Sequence, residues 1–226
     1  MNPNIKIAAL AIFVLIFGAI FMSGCTGQTE TKQNFQEVNK TLNQTEQTKD
    51  TTKPSTYSLS DIFAKTSAIK SVKYDMLMTG LGSSVTQTVW LKGNKMKLEI
   101  SAEGEKVINI VDLDKKVMYS YMPAQGIAFM TSFDYSSQYT SPTENIEKYN
   151  PVVLGSEILD GKDCVIVQYS MEGMQIKSWI WKEKGFPLRT EISMGGEKRI
   201  IEYKNIEFIE IPDSEFELPS GVQILG

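Results

Sequence analysis

The stretch Met96-Lys97-Leu98-Glu99-Ile100 decides the fold, because apolar and charged residues alternate along it. Successive side chains of a β-strand point to opposite faces, so this alternation predicts a strand with one buried and one wet face. Residues 72–78 and 188–193 alternate in the same way. The sequence therefore predicts a mainly β fold.

Glycine-containing pairs separate the alternating runs at intervals of about ten residues. These pairs are Gly93-Asn94, Glu103-Gly104, Asp160-Gly161, Glu172-Gly173, Lys184-Gly185 and Gly195-Gly196. Glycine supplies the positive φ angle that a tight hairpin needs. Consecutive hairpins predict an antiparallel meander of roughly ten strands, enough to form an incomplete, half-open β-barrel.

Two helices are predicted beside the strands. Leu59, Ile62, Phe63 and Ile69 follow helical spacing, and Ser58 or Ser60 can cap the start. A second, short helix is indicated by Ser141-Pro142-Thr143-Glu144, which places a capping serine before proline and glutamate.

Two predicted strands, Val107–Val111 and Cys164–Val167, are apolar on both faces. A strand of this kind must be covered on its second side as well. We expect the two helices to do so and to form a lid, with Leu59, Ile62, Phe63 and Ile69 as candidate lid residues.

An apolar run from Ile7 to Met22 ends at Ser23-Gly24-Cys25. This arrangement resembles the lipobox of prokaryotic lipoproteins, in which cleavage exposes a cysteine that carries lipid. The resemblance implies a signal peptide over 1–24 and a lipid anchor at Cys25 that holds the chain on the extracytoplasmic side of the cell membrane. Alternatively, the run stays as an uncleaved anchor, since about 18 apolar residues suffice to span a bilayer.

Residues 25–57 combine Cys25 with a stalk rich in Thr and Gln, whose few apolar residues predict disorder. Asn39 and Asn43 each begin an Asn-x-Thr triplet and are candidate glycosylation sites. Residues 58–226 are then expected to form one β domain.

The composition argues against several classes of function. The formal net charge of −4 provides no basic stripe, so nucleic acid is not expected as a partner. The absence of histidine removes Ser-His and Cys-His pairs and the commonest zinc ligand. No metal, cofactor or enzymatic activity is predicted. Ser178 beside Lys177 is the weakest alternative, because adjacent strand residues face opposite ways.

Cys164 lies in an apolar run and is expected to be a small buried hydrophobe. Glu207, Glu210, Glu215 and Glu217 are interpreted as the exposed face of the last strand.

The chain has 11 methionines, whose flexible thioethers repack easily around apolar guests of varied shape. Candidate residues for lining a cavity are Met76, Met78, Met96, Leu98, Met118, Tyr121, Met130 and Ile166. The alternative is that methionine fills gaps in the core of a bent sheet.

The order of several motifs resembles the lipoprotein-carrier (LolA-like) superfamily, in particular its outer-membrane lipoprotein-sorting proteins. The motifs are Gly-Asn-Lys-Met-Lys at 93–97, Asp-Gly-Lys-Asp-Cys at 160–164, Gly-Phe-Pro-Leu-Arg at 185–189 and Asp-Ser-Glu-Phe-Glu-Leu-Pro at 213–219. The resemblance implies an incomplete barrel with a helical lid and a hydrophobic cavity that accepts acyl chains.

These observations predict a membrane-anchored lipoprotein that binds lipid or lipoprotein acyl chains without chemistry. The competing hypothesis is a structural or protein-interaction lipoprotein with a filled core and no ligand. The sequence predicts no oligomeric state.

Overall fold

The computed structural model describes residues 58–80, 82–102, 104–133 and 146–226. A single α-helix, α1 (Leu59–Ser67), precedes twelve strands in these ranges. The strands are β1 (Ser71–Gly80), β2 (Ser83–Lys92), β3 (Lys95–Ala102), β4 (Glu105–Asp112), β5 (Val117–Met122), β6 (Ile127–Ser132), β7 (Val152–Leu159), β8 (Lys162–Met171), β9 (Met174–Trp181), β10 (Pro187–Met194), β11 (Glu197–Glu207) and β12 (Gln223–Leu225). Short 3-10 helices lie at Pro123–Gln125, Ile146–Tyr149 and Asp213–Phe216.

All twelve strands belong to one sheet, in the order β12-β6-β5-β4-β3-β2-β1-β11-β10-β9-β8-β7. β1 to β6 and β7 to β11 are two antiparallel meanders, joined where β1 pairs with β11. β12 adds parallel to β6. Among the described strands, β7 and β12 each have one neighbour, so the sheet is open. The mainly β prediction is confirmed, and an open, barrel-like sheet fits the strand order.

The predicted hairpins follow from their turn residues. At the β7–β8 hairpin, Asp160 and Gly161 have φ angles of 50° and 71°. Two consecutive positive φ angles are the geometry that matches the twist of a two-residue hairpin. The meander is therefore fixed locally by the Asp-Gly pair that the sequence places there.

Pairing registers define two faces of the sheet. One face, here called the helix face, carries a cross-strand row formed by Val72, Leu91, Met96, Val111 and Met118. A second row connects it to the other meander through Met78, Ile201, Thr190, Ser178 and Val167. The opposite face, here called the tail face, carries the row Lys73, Trp90, Lys97, Ile110, Tyr119 and Met130.

The α1 helix confirms the prediction of a helix that begins near Leu59. Ser58 caps it, since its side chain accepts a hydrogen bond from the Asp61 amide at 3.1 Å. Ile62 and Phe63 are buried against β8 and β9 residues Val165, Val167 and Ile180. The helix thus covers one end of the helix face.

The loop between β9 and β10 holds α1 in place. Thr66 Oγ1 donates to the Gly185 carbonyl oxygen at 2.6 Å, and Lys65 Nζ donates to the Lys182 carbonyl oxygen at 2.7 Å. A Cβ at Gly185 would overlap the Ile62 carbonyl oxygen. Only glycine allows this close approach of loop and helix.

The C-terminal segment, residues 208–222, connects β11 to β12. Phe208 still packs against the helix-face cluster, and the chain covers the tail face from Ile211 onward. Ile211 and Phe216 are buried against Ile110 of β4. The expectation that a predicted helix covers the second face of β4 is therefore wrong, because this segment does so instead. The interpretation of Glu210, Glu215 and Glu217 as the face of a last strand is wrong for the same reason: the chain there is irregular or 3-10 helical.

The second predicted helix begins at Ser141, outside the described residues. Within them, Ile146–Tyr149 forms a 3-10 helix, and Ile146 is buried in the cluster around Ile62 and Phe63. None of the helices in the described ranges is long and apolar enough to cross a membrane.

Candidate functional site

An apolar cluster rich in methionine lies on the helix face. Its buried members are Val72, Tyr74, Met76, Val89, Met96, Leu98, Val111, Phe186 and Tyr203. Met78 and Met118 pack against it while remaining partly exposed, and so does Ile69, just beyond the end of α1. Flexible thioether side chains therefore occupy both the interior and the margin of one continuous apolar surface.

Five of the eight candidate lining residues come together in this cluster: Met76, Met78, Met96, Leu98 and Met118. The structure places the other three on the tail face. Tyr121 lies opposite Ile108 and Met130 lies opposite Tyr119. Ile166 packs with Cys164, Trp179 and Leu188.

The candidate lid residues also divide into two groups. Ile62 and Phe63 are buried in the cluster over β8 and β9, with Leu59 packed against it. Ile69 instead contacts the methionine cluster. α1 and Ile69, two residues beyond its end, therefore connect the two apolar clusters of the helix face.

Gln87 is a polar side chain buried within the methionine face, and sequence reasoning missed it. It lies opposite Met76 in the strand pairing and is 1% exposed. Its Nε2 donates to the Met76 sulfur at 3.9 Å, and among the described residues its Oε1 has no hydrogen-bond partner. A buried polar atom without a partner costs about 1–3 kcal/mol, so a donor supplied from outside the chain would be favoured here.

The tail face is closed by charge pairs as well as by apolar contacts. Lys97 Nζ lies 2.7 Å from Glu215 Oε2 and 3.0 Å from Glu99 Oε1. Burial alone would lower the pKa of Lys97, but its hydrogen bonds to Glu215 and Glu99 outweigh burial and raise that pKa. The ammonium group also lies 4.5 Å from the centre of the Trp90 ring.

A second anchor fixes the start of the C-terminal segment. Lys92 Nζ lies 3.0 Å from Asp213 Oδ1 and donates to the Ile211 carbonyl oxygen at 2.8 Å. The hydrogen bond from Lys92, with the nearby charges of Lys92 and Lys95, lowers the pKa of Asp213. The motif at 213–219 thus has a structural role, which is to hold the chain over β2, β3 and β4.

A polar groove of about 380 Å³ lies beside the bulge in β11. It is lined by Lys73, Tyr74, Asp75, Thr88, Trp90, Asn205 and Glu207. Both carboxylate oxygens of Asp75 are engaged within the chain, since they accept hydrogen bonds of 2.7 Å from Thr88 and Asn205. The groove is therefore the polar counterpart of the methionine cluster on the opposite face.

Cys164 is fully buried, as predicted, and it forms no disulfide within the described residues. Burial raises the pKa of its thiol to about 11, which suppresses the reactive thiolate. Within the described ranges, no group of three metal-binding side chains could hold a metal ion. Cys25, Asn39 and Asn43 lie outside the described residues.

No protein family profile matches the sequence, and no curated protein sequence matches it. Solved structures do match its fold. An uncharacterized conserved protein from Thermus thermophilus is similar with a TM-score of 0.55 and 11% identity, over 74% of this chain and 96% of that chain. At this identity the similarity shows a shared fold and no more.

Two other solved structures are similar at lower scores. A LolA superfamily protein from Nitrosomonas europaea aligns with a TM-score of 0.35 and 14% identity, over 72% of this chain and 98% of that chain. The Mycobacterium tuberculosis lipoprotein LppX aligns with a TM-score of 0.40 and 14% identity, over 66% of this chain and 92% of that chain.

Proposed function

We propose that this protein binds lipid or lipoprotein acyl chains on the helix face of its sheet. The observation that carries the proposal is the clustering of Met76, Met78, Met96 and Met118 on one face, beside a buried Gln87 whose Oε1 has no hydrogen-bond partner among the described residues. The motifs that resemble LolA-like carriers agree with this reading but do not carry it.

The physical basis of binding is apolar burial. An acyl chain gains about 0.8 kcal/mol for each methylene that leaves water. Met76 and Met96 are each 8% exposed, so a guest must displace packed side chains to enter. Methionine has three rotatable bonds and repacks at low cost, which makes it suited to such an opening.

The margins of the cluster supply the route of entry in this proposal. Met78 and Met118 are half-buried and lie next to the buried core, and Ile69 lies between α1 and the cluster. We propose that α1 with Ile69 acts as the lid. The free Gln87 Oε1 would accept a hydrogen bond from a hydroxyl or amide of the bound lipid.

We further propose that Cys25 carries a lipid anchor and that the chain is held on the extracytoplasmic side of the membrane. The lipobox-like sequence before Cys25 supports this. If Cys25 is lipidated, the parent protein should have the mass of the cleaved, acylated chain, and a Cys25→Ala variant should accumulate as the longer, unacylated form that keeps residues 1–24. A parent protein that itself retains residues 1–24 without added lipid would favour the uncleaved anchor.

Uptake of a fluorescent fatty acyl probe by the delipidated full-length protein tests the binding proposal. Met118→Gln should weaken binding about tenfold, because a polar amide next to an apolar chain costs on the order of 1–2 kcal/mol. Met130→Gln is the matched control, since Met130 is also half-buried, on the adjacent strand, but lies on the tail face. Absence of probe uptake by the parent protein would contradict the proposal.

A second candidate function is a structural or interaction lipoprotein with a filled core. The low exposure of Met76, Met96 and Leu98 favours it, because these side chains are already packed. The same assay separates the two candidates. A filled core predicts no uptake by either the parent or the variants.

A further inference from the structure

The edge strand β7 holds four large apolar side chains in solvent. Val152, Val153, Leu154 and Ile158 are between 50% and 74% exposed. β7 pairs with β8 on one side, and none of the described strands pairs with its other side. Unpaired backbone groups beside exposed apolar side chains make this edge ready to accept another strand.

A bulge in β7 sets which residues share a face. Val153 lies opposite Val167 and Gly155 lies opposite Ile166, so Leu154 is the extra residue. Ile158 lies opposite Asp163, on the same face as Val153. The bulge thus brings Val153 and Ile158 to one face although their separation in sequence is odd.

We propose that β7 pairs antiparallel with β7 of a second copy of this chain, about a twofold axis at Ser156. In this register Ile158 lies opposite the partner's Val153, and Leu159 opposite the partner's Val152. Leu154 remains bulged, as it does against β8. A twofold interface uses the same patch on both copies, and each opposite pair shares a face.

The strand can pair with its own copy so that apolar residues face each other and no like charges are directly opposed, and this fit favours a second copy over an unrelated strand. Glu157 lies opposite the partner's Gly155, so the two glutamates do not face each other. A Cβ at Gly155 would meet nothing within 4 Å, so the space opposite Glu157 is open. Glu157 is also held by Trp179 Nε1 at 2.7 Å. Directly opposed apolar pairs stabilise such a ladder, whereas opposed like charges would destabilise it.

The length of the strand limits the strength of this dimer. Pro151 has no backbone N–H to donate and precedes β7, so the ladder ends there. One added strand pair buries less than a standard interface. We therefore expect a reversible dimer with a dissociation constant on the order of 1–100 µM.

Disulfide trapping tests the register. Opposed residues of antiparallel strands have Cα atoms about 4.5 or 5.5 Å apart, both within the range that a disulfide spans. Ser156→Cys in the full-length protein should give a covalent dimer under mild oxidation. Glu172→Cys, at the exposed β8–β9 hairpin, is the control and should give only the background of the parent chain. Equal cross-linking of the two variants would overturn the proposal.

Sedimentation of the full-length protein in detergent tests the contacts. Ile158→Lys should raise the dissociation constant at least tenfold, whereas Ile209→Lys, which also replaces an exposed isoleucine, should not change it. A monomer at all concentrations would overturn the proposal, and so would a dimer that Ile158→Lys leaves intact. A foreign strand bound at β7 with no self-association would likewise overturn it.

Discussion

The two faces of the sheet are covered in different ways. The tail face is closed by the chain itself, through Ile211, Phe216 and the ion pairs of Lys92 and Lys97. The helix face is covered by α1 at one end and carries methionines beside Gln87, whose buried Oε1 has no partner in the described part of the chain. Ion pairs hold the C-terminal segment in a single geometry on the tail face, whereas the flexible methionine side chains allow the helix face to rearrange.

This difference indicates where a guest can enter. Opening the tail face is energetically unfavourable, because each broken ion pair leaves a charge partly buried. An apolar face loses only contacts that an apolar guest replaces. Breaking the anchors of the tail face should therefore lower stability, and replacing the methionines of the helix face should weaken binding.

The largest effect is expected from truncating the C-terminal segment at its apolar anchor. Phe216→Ala should lower the free energy of unfolding by about 3–5 kcal/mol, because Phe216 is buried against Ile110 and Ile211. Urea denaturation measures this. Glu217→Ala, at an exposed position beside it, should stay within about 0.5 kcal/mol. A loss below about 1 kcal/mol for Phe216→Ala would show that the segment does not close the tail face.

Gln87→Leu should change the free energy of unfolding in the opposite direction to Phe216→Ala. Removing the buried Oε1, which has no partner among the described residues, at the cost of only a weak hydrogen bond to the Met76 sulfur, is expected to raise the free energy of unfolding by about 1–2 kcal/mol. Gln175→Leu, an exposed glutamine on β9, is the control and should produce little change. Destabilisation of the Gln87 variant would indicate that its amide is satisfied in solution. The two faces would then differ less than the structure indicates.

Acid should loosen the tail face first. Burial alone would raise the pKa of Glu99, but hydrogen bonds from Lys106 and Lys97 lower it below its ordinary value. A carboxyl whose pKa is lowered on folding stabilises the protein above its unfolded pKa of about 4.3 and loses that effect as pH falls through the folded pKa.

Glu99→Gln should therefore reduce stability at neutral pH by up to about 1 kcal/mol and flatten its loss below about pH 4.3. Thermal unfolding between pH 7 and pH 2.5 measures both effects. Glu172→Gln serves as the exposed control. If the two variants have the same pH profile, Glu99 does not contribute to closing the tail face.

The smallest expected effect on the tail face is slow alkylation of the buried Cys164 thiol. This thiol has a pKa raised by burial to about 11 and should resist alkylation by iodoacetamide at pH 8 in the folded protein. Peptide mass spectrometry distinguishes it from Cys25, and labelling in urea provides the control. Rapid labelling of the folded protein would show that the β8–β9 end of the tail face opens.

Local patterns predicted the elements of this fold. Alternation predicted β1, β3 and β10, glycine-containing pairs predicted hairpins such as β2–β3 and β7–β8, and Ser58 was one of the two serines predicted to cap α1. Each of these signals depends on residues that are close in sequence. The path of residues 208–222 over β4 depends on contacts far apart in sequence, so no local pattern shows it. Pro212 and Pro219 are the local signal that could have corrected the interpretation of this stretch as a strand.

Local patterns also failed to place all the candidate cavity-lining residues on one face of the sheet. Met118 and Tyr121 lie on one strand at an odd separation, so the pleat alone places them on opposite faces. The sequence could not show which face of the sheet Ile166 lies on, because β8 connects to β1 only through the registers of four successive strand pairs. Gln87 gave no signal, because a missing hydrogen bond is a property of the packed structure.

Photo-cross-linking with a diazirine-bearing acyl chain tests the central claim most directly. The full-length protein is irradiated with the bound probe, and the modified residues are mapped by peptide mass spectrometry. Binding at the helix face predicts labels on Met76, Met78, Met96 or Met118, with none on Tyr121 or Met130. Labels confined to the tail face, or no labels above those of an unrelated protein, would contradict the claim.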